Sequence, residues 1–245
     1  MSNEILLILT LAGEFSTLIL CYYLFEENGL YLWNVVATIA ANIEVMILVK
    51  AFGMEMTLGN ILFASTFLTT DILSEVYGKK AAQRAVSLGI AASLIFLAVS
   101  QSWLLYRPDS HDIASGPIRE IFSNTPRLIL ASVAVYVIVQ YFDVWLYHAW
   151  WDFTDRRFGD HRKFLWLRNN GSTLVSQLLN TVLYTLFAFF GVYSMRTLLS
   201  IMASSYVIFI VTSLCDTPFV YWARAIFEKK AARHPKLQEN SRDIQ

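Results

Sequence analysis

Apolar residues along this chain fall into seven long runs separated by short polar links, near 4–25, 31–50, 57–77, 83–106, 128–150, 170–193 and 197–223. A hydrocarbon layer about 30 Å thick needs about 20 mostly apolar residues at the helical rise, so each run is expected to form a transmembrane helix. The third, LGNILFASTFLTTDILSEVY, holds Asp71 and Glu75 in its last third, which leaves a re-entrant or interfacial segment as its alternative. The first run begins beside Met1 without a basic leader or a small-residue cleavage site, and is read as a retained helix rather than a signal peptide. No strand alternation, Gly/Ser linker or low-complexity tract interrupts the runs. The pattern predicts an all-α, polytopic membrane helix bundle of about seven transmembrane helices, with one transmembrane domain over 1–227 and a polar tail over 228–245. In the one long connection, 107–126, Gly116 and Pro117 precede Ile118, Ile121 and Phe122, which predicts a short surface helix.

Composition agrees. Of 245 residues 56% are hydrophobic and 16% charged, against about 25% charged in a soluble domain, and the mean hydropathy is +0.48. Nineteen basic and nineteen acidic residues cancel, so the electrostatic footprint of a nucleic-acid binder is absent. Cys21 and Cys215 are too far apart in sequence for a CxxC pair, and two cysteines are too few for a zinc cluster or a disulfide framework. The link charges add direction. Lys79, Lys80 and Arg84 follow run three, Arg156, Arg157, Arg162, Lys163 and Arg168 follow run five, and Arg224, Lys229, Lys230, Arg233, Lys236 and Arg242 follow run seven. With seven spans all three clusters share one side, while Lys50, Arg107, Arg119, Arg127 and Arg196 are spread over the other. The positive-inside bias then places the N-terminus outside and the C-terminus in the cytoplasm.

A charged group at the middle of a membrane helix costs at least about 2.5–3.5 kcal/mol, so it demands a bundle interior, a partner or a cavity. Glu14, Asn34, Thr38, Asn42, Glu44, Asp71, Glu75, Asp143 and Asp216 all fall inside runs, and no Lys or Arg is placed deep enough in sequence to neutralise the acids. They point to a cationic ligand, a proton, or carboxyls that hold one. Spacing puts them on shared faces: Asn34, Thr38 and Asn42 in one row, Asp71 and Glu75 one turn apart, and Gln140 and Asp143 on a stripe with Tyr136 and Tyr147. In run six Asn170, Thr173, Gln177, Asn180 and Tyr184 form a seam. Single Ser and Thr residues are read as helix-to-helix hydrogen bonds, and the Asn, Gln and carboxylate set as a shared polar pocket. Trp145, Trp150, Trp151 and Trp166 read as interface anchors. Rings, amides and carboxylates together are what a flat heterocycle requires.

Catalytic signatures are missing: there is no HExxH, GxSxG or Walker loop. The stretch with Asp143, His148, Asp152, Asp155, Asp160 and His161 is interleaved with Arg156 and Arg157 and reads as a solvated, salt-bridged loop rather than a metal-dependent transferase. No enzyme activity, metal or cofactor is expected.

Five strings resemble the queuosine precursor transporter family, also described as a vitamin uptake transporter family: ATIAANIEV (37–45), FLTTDILSEVYGKKAA (67–82), TPRLILAS (125–132), WLRNNGSTLVSQLLNTVLYTLFAFFGVY (166–193) and CDTPFVY (215–221). The resemblance covers 33–223 and implies a six-helix core at about 31–223, with 4–25 as an extra N-terminal helix. It implies a plasma-membrane importer of 7-deazaguanine bases, namely queuine or its 7-cyano or 7-aminomethyl precursors, for salvage into tRNA modification. The aminomethyl group is cationic and suits an unpaired Asp71, Glu75 or Asp216. Carried over by position, the substrate-binding set is Asn42, Glu44, Asp71, Glu75, Gln140, Asp143, Asn169, Asn170, Gln177, Asn180 and Asp216. Arg168 is a gating or structural residue, holding its helix end to Glu75 or Asp143. Family members often carry Asp at the position of Asn180 and Lys near Phe209, a balanced pair that this chain lacks. The alternative is a substrate-binding subunit of an ATPase-energised vitamin importer, with the small residues Ala37 and Ala41 as a docking face. Beyond the deazapurine and the bilayer, a homodimer and an ATPase module are the partners left open.

Overall fold

The computed structural model describes residues 2–123, 126–158 and 164–233. In chain order its elements are α1 (Asn3–Glu44), β1 (Leu48–Ala51), β2 (Met54–Thr57), α2 (Gly59–Tyr77), α3 (Lys79–Trp103), α4 (Ser115–Ser123), α5 (Pro126–Phe158), α6 (Leu165–Phe189) and α7 (Met195–Arg233). Among the described residues five helices, α1, α3, α5, α6 and α7, are long and apolar enough to cross a membrane. This is the architecture of a multi-pass helical membrane protein. Asp160, His161, Arg162, Lys163, Lys236 and Arg242, with the rest of 234–245, lie outside the described residues.

The element α1 is two arms. As a straight rod its 42 residues would run about 63 Å, twice the thickness of a hydrocarbon layer. The backbone breaks instead at Glu26, with φ 55° and ψ −133°, a region that costs energy for any residue with a Cβ. The arms then fold back on each other. Asn3 donates to the Lys50 carbonyl at 2.9 Å and the Phe52 amide donates to Glu4 at 3.1 Å, contacts that a straight helix forbids. A Cβ on Gly29 would run into the Cys21 carbonyl, so glycine is what lets the arms touch. Lys230 ties the turn through the Tyr23 carbonyl at 2.8 Å and Glu26 at 3.1 Å. The first two expected spans correspond to these arms.

Two features depart from expectation. The second arm stops at Glu44, and residues 48–57 form an antiparallel hairpin in which Ala51 faces Met54. Phe52 and Gly53 both have positive φ, 53° and 74°, the requirement of a two-residue type I′ turn. Ala37 and Ala41, expected as an outward docking face, are buried against Leu62 of α2, so the small residues serve packing within this chain.

The polar third run occupies the centre. Fifteen of the 19 residues of α2 are buried, and it touches α1, α3, α5 and α7. A helix carrying Ser65, Thr66, Thr69, Thr70, Asp71, Ser74 and Glu75 is too polar to face lipid, and four helices pack around it; it is not among the five helices long and apolar enough to cross a membrane. Apolar side chains such as Ile8, Ile95 and Leu199 are exposed on the periphery, where hydrocarbon would meet them.

The bundle therefore has two distinct ends. The hairpin end holds Asn3, the β-hairpin and α4; the basic end holds the Glu26 turn, Gly78, the start of α6 and Lys230. The surface helix forms as expected, with Phe122 buried against Phe96 and Trp103 at ring separations of 6.0 and 5.7 Å. Asp112 caps it, accepting the amides of Ala114 and Ser115 at 2.7 and 3.1 Å and the Ser115 hydroxyl. These donors, the hydroxyl foremost, hold the Asp112 carboxyl below the usual carboxylate range. At the other end α7 stays helical to Arg233, six residues into the expected tail.

Candidate functional site

Four helices, α2, α5, α6 and α7, aim polar side chains at one another along a column from the hairpin end to the basic end. The column begins in a cleft of about 390 Å³, counted to its open mouth, whose wall includes Asn60 and Phe63 of α2, Ser132 of α5, Asn180 and Tyr184 of α6 and Phe209 of α7. Asn180 and Phe209 thus share one wall. Asn42 stands behind it. Its amide donates to the Thr38 carbonyl at 3.0 Å and to Ser93 at 3.2 Å, and its oxygen accepts the Ser132 hydroxyl at 2.9 Å. Asn42 therefore staples α1 to α3 and α5. Glu44 lies half-buried at the end of α1.

Amides come next. Asn180 donates to the Gln177 oxygen at 3.3 Å. Gln140 donates to Thr66 at 2.7 Å and accepts from Thr70 at 3.5 Å, binding α5 to α2. Most other hydroxyls on α2 turn to carbonyls of their own helix, as Ser65 does to Leu62 at 2.6 Å and Thr69 to Ser65 at 2.8 Å. On α2 the expected helix-to-helix role thus falls to Thr66 and Thr70 toward Gln140 and to Ser65, which accepts from Trp33 at 3.0 Å.

Below the amides three carboxyls converge. Asp71 of α2, Asp143 of α5 and Asp216 of α7 are 0%, 0% and 2% exposed, and each lies within electrostatic range of another. Thr173 donates to Asp71 at 2.9 Å and Asn169 to Asp216 at 2.7 Å. Asn170 donates to Thr217 at 2.7 Å and to the Trp166 carbonyl at 2.9 Å, and accepts from Ser213 at 3.3 Å, which locks α6 to α7. One oxygen of Asp71 accepts no hydrogen bond, and the two oxygens of Asp143 face the buried hydroxyl of Ser176 without closing to a full hydrogen bond. Among the described residues no group of His, Cys, Asp and Glu is arranged to hold a metal ion.

The basic end closes the column with charge. Glu75, one turn beyond Asp71, accepts from Arg168 at 2.9 and 3.1 Å, from Arg224 at 3.1 Å and from the Tyr147 hydroxyl at 2.8 Å. Arg168 is fully buried, with its guanidinium 4.3 Å from the centre of the Trp151 ring. This corrects the expectation that no cation lies deep enough to neutralise the acids. Arg168 sits at the very start of α6, but Glu75 is at the end of α2, so the two meet at one level. Glu75 is consequently paired rather than open to a cationic ligand. Trp151 is part of the closure, while Trp145 and Trp166 are exposed in keeping with anchors.

Phe63, Ser132, Thr217 and Arg224 are site residues that the sequence reading did not single out. Phe63 had a signal: it lies two turns before Asp71 on the same helical stripe. Arg224 likewise lies two turns after Asp216.

The family model described as “Putative vitamin uptake transporter” matches residues 57–223, a stretch that takes in the whole acid layer, Glu75 and Arg168. A Bacillus subtilis (strain 168) protein named “Probable queuosine precursor transporter” is 38% identical over 211 residues, which cover 86% of this chain and 90% of that protein. No solved structure matches the chain.

Proposed function

The chain belongs to the family described as “Putative vitamin uptake transporter”, and from that premise we propose that it imports queuosine precursors, 7-deazaguanine bases destined for salvage into tRNA. A transporter moves its solute unchanged, so the chain is a carrier and not an enzyme. The observation that carries the substrate reading is the likeness to the Bacillus subtilis transporter. The polar column supplies a physical counterpart. The cleft combines apolar walls with a few convergent polar groups, the lining that a small heterocycle requires. Phe63 and Phe209 offer apolar faces to a flat ring, and Asn60, Ser132 and Asn180 offer hydrogen-bonding groups to its edge. Gln177, Gln140, the three aspartates, Asn169 and Asn170 line the route inward. Asn42 acts by fixing Ser132, and Glu44 flanks the mouth.

The clustering of Lys79, Arg84, Arg168, Arg224 and Lys230 at one end supports a cytoplasmic basic end with the N-terminus outside, and the membrane of an importer of this kind is the plasma membrane. In this arrangement the cleft faces outward, and the Glu75, Arg168, Arg224 and Tyr147 cluster closes the inner side. Transport then requires that this cluster open as the cleft closes.

The test is a strain that lacks both precursor synthesis and its own importer, fed a 7-deazaguanine precursor. The wild-type chain is expected to restore queuosine in tRNA, whereas Gln177→Ala and Asp71→Asn fail while reaching the membrane in normal amount. Absence of rescue by the wild type overturns the substrate reading, and full rescue by both variants overturns the assigned route. Uptake into liposomes that hold this chain alone removes any need for an ATPase module.

A further inference from the structure

The acid layer holds more negative groups than its hydrogen bonds satisfy. Six carboxylate oxygens from Asp71, Asp143 and Asp216 meet two donors, Thr173 and Asn169. Asp143 receives neither, and the fully buried hydroxyl of Ser176 that faces it does not close to a full hydrogen bond. The neighbours on every packed helix are known. From α2 come Asp71 and Glu75, and from α7 comes Asp216. From α6 come Asn169 and Arg168, the latter turned toward Glu75. On α5 itself Tyr147 donates to Glu75. From α3, Arg84 lies over the Tyr31 ring and Ser87 pairs with Tyr141. No described cation faces Asp143. Three bare anions in a dry interior are untenable, because burying even one unpaired charge costs several kcal/mol and the like charges repel across a low dielectric.

The missing positive charge must also be small. The Asp143 oxygens and the outer oxygen of Asp71 are sealed so completely that not even water fits against them. We propose that this layer is a proton site that energises uptake, with Asp143 taking one proton from the cleft side and releasing it to the cytoplasmic side in each cycle. The proposal rests on the transport reading and adds its energy source.

Geometry supplies the linkage. Asp143 is one turn from Tyr147, and Asp71 is one turn from Glu75, so the layer shares helices with the closure below. Loss of the proton places a new negative charge beside the closure and draws Arg168 away from Glu75, which loosens the inner side. On α2 and α5 the same two helices carry Phe63 and Ser132 to the cleft, so occupancy above and protonation below act on one rigid pair.

The experiment uses the full chain in liposomes with a pH-sensitive dye inside and radiolabelled 7-cyano-7-deazaguanine, a neutral base, outside. For one proton per base, wild-type accumulation is expected to rise about tenfold per unit of inward pH gradient, the equivalent of 1.4 kcal/mol. The dye should report acidification that begins when the base is added. Asp143→Asn is expected to abolish the gradient dependence, and Asp143→Glu to retain it with a shifted pH profile. Equal accumulation with and without the proton gradient by a wild type that still exchanges base overturns the proposal alone. So does a sodium gradient that replaces the proton gradient, or an Asp143→Asn chain that stays fully gradient-driven. A wild type that neither accumulates nor exchanges base removes the transport reading, and this proposal with it. The wild-type measurements decide the matter even if a variant does not fold.

Discussion

The two ends of the polar column solve the problem of buried polarity in opposite ways. At the hairpin end the lining groups are neutral, and the cleft between them is open: Asn180 has one amide partner at 3.3 Å and Tyr184 leaves its hydroxyl unpartnered. At the basic end the Glu75 side chain is 3% exposed and takes hydrogen bonds from two arginines and a tyrosine. Neutral groups leave a cleft cheaply because an unsatisfied amide or hydroxyl costs about 1–3 kcal/mol. A buried carboxylate without its partner costs more, so the charged end has to be shut in this arrangement. The contrast locates rigidity at one end and adaptability at the other.

The largest expected effect comes from breaking the closed end. Arg168→Ala removes two charge-assisted hydrogen bonds from Glu75, leaving it Arg224 and Tyr147, and is expected to lower stability by about 1.5–3 kcal/mol, read from thermal unfolding in detergent. Arg168→Lys recovers only part of it, because an ammonium cannot keep the planar contact with Trp151. A loss no greater than that of Asn180→Ala would erase the distinction between the ends. The next effect lies in the cleft wall. A Cβ on Gly59 would come within 2.8 Å of the Val45 nitrogen and 2.9 Å of the Ala41 oxygen, backbone atoms that no rotamer change moves aside. Gly59→Ala should therefore part α1 from α2 at a cost of about 1–3 kcal/mol and reduce uptake. Unchanged unfolding and uptake would mean that the wall yields freely.

Asn180→Ala sharpens the comparison from the open side. It should raise the KM for base uptake about tenfold while shifting stability by less than about 1.5 kcal/mol, the reverse of the Arg168 pattern. The smallest effect belongs to the cap on α4. Because the Asp112 carboxyl titrates below its ordinary value of 3.8 in the folded chain, its contribution is full above that value and is lost as the pH falls through the depressed one. Hydrogen exchange of the α4 amides, corrected for intrinsic rates, should accelerate in acid and in Asp112→Ala at neutral pH, with transport unaffected.

Much of this was legible along the chain. Hydropathy marked both arms of α1 as well as α3, α5, α6 and α7, and the turn residues Gly116 and Pro117 marked α4. The motifs around Asp71, Asn169 and Asp216 pointed to the family to which the chain belongs. The β-hairpin was not legible, because Leu48, Val49 and Ala51 add to an apolar run as readily as helix residues do. Only the Phe52–Gly53 turn distinguishes them, and a two-residue signal is lost in a 20-residue window. Asp71 and Glu75 were visibly on one face, yet the contrast in their surroundings was invisible, since the partners of Glu75 lie 93 and 149 positions away.

The sequence by itself determined which segments leave water and which side chains would have to be sheltered once they did, because the transfer energy of a residue belongs to that residue. Only the tertiary structure decided that α2 runs through the middle, that Arg168 reaches Glu75, and that Asp143 meets two other acids. Those outcomes depend on distances between helices. Electrostatic and hydrogen-bond energies vary with such distances over a few ångströms, a scale on which the order of residues in the chain carries no information.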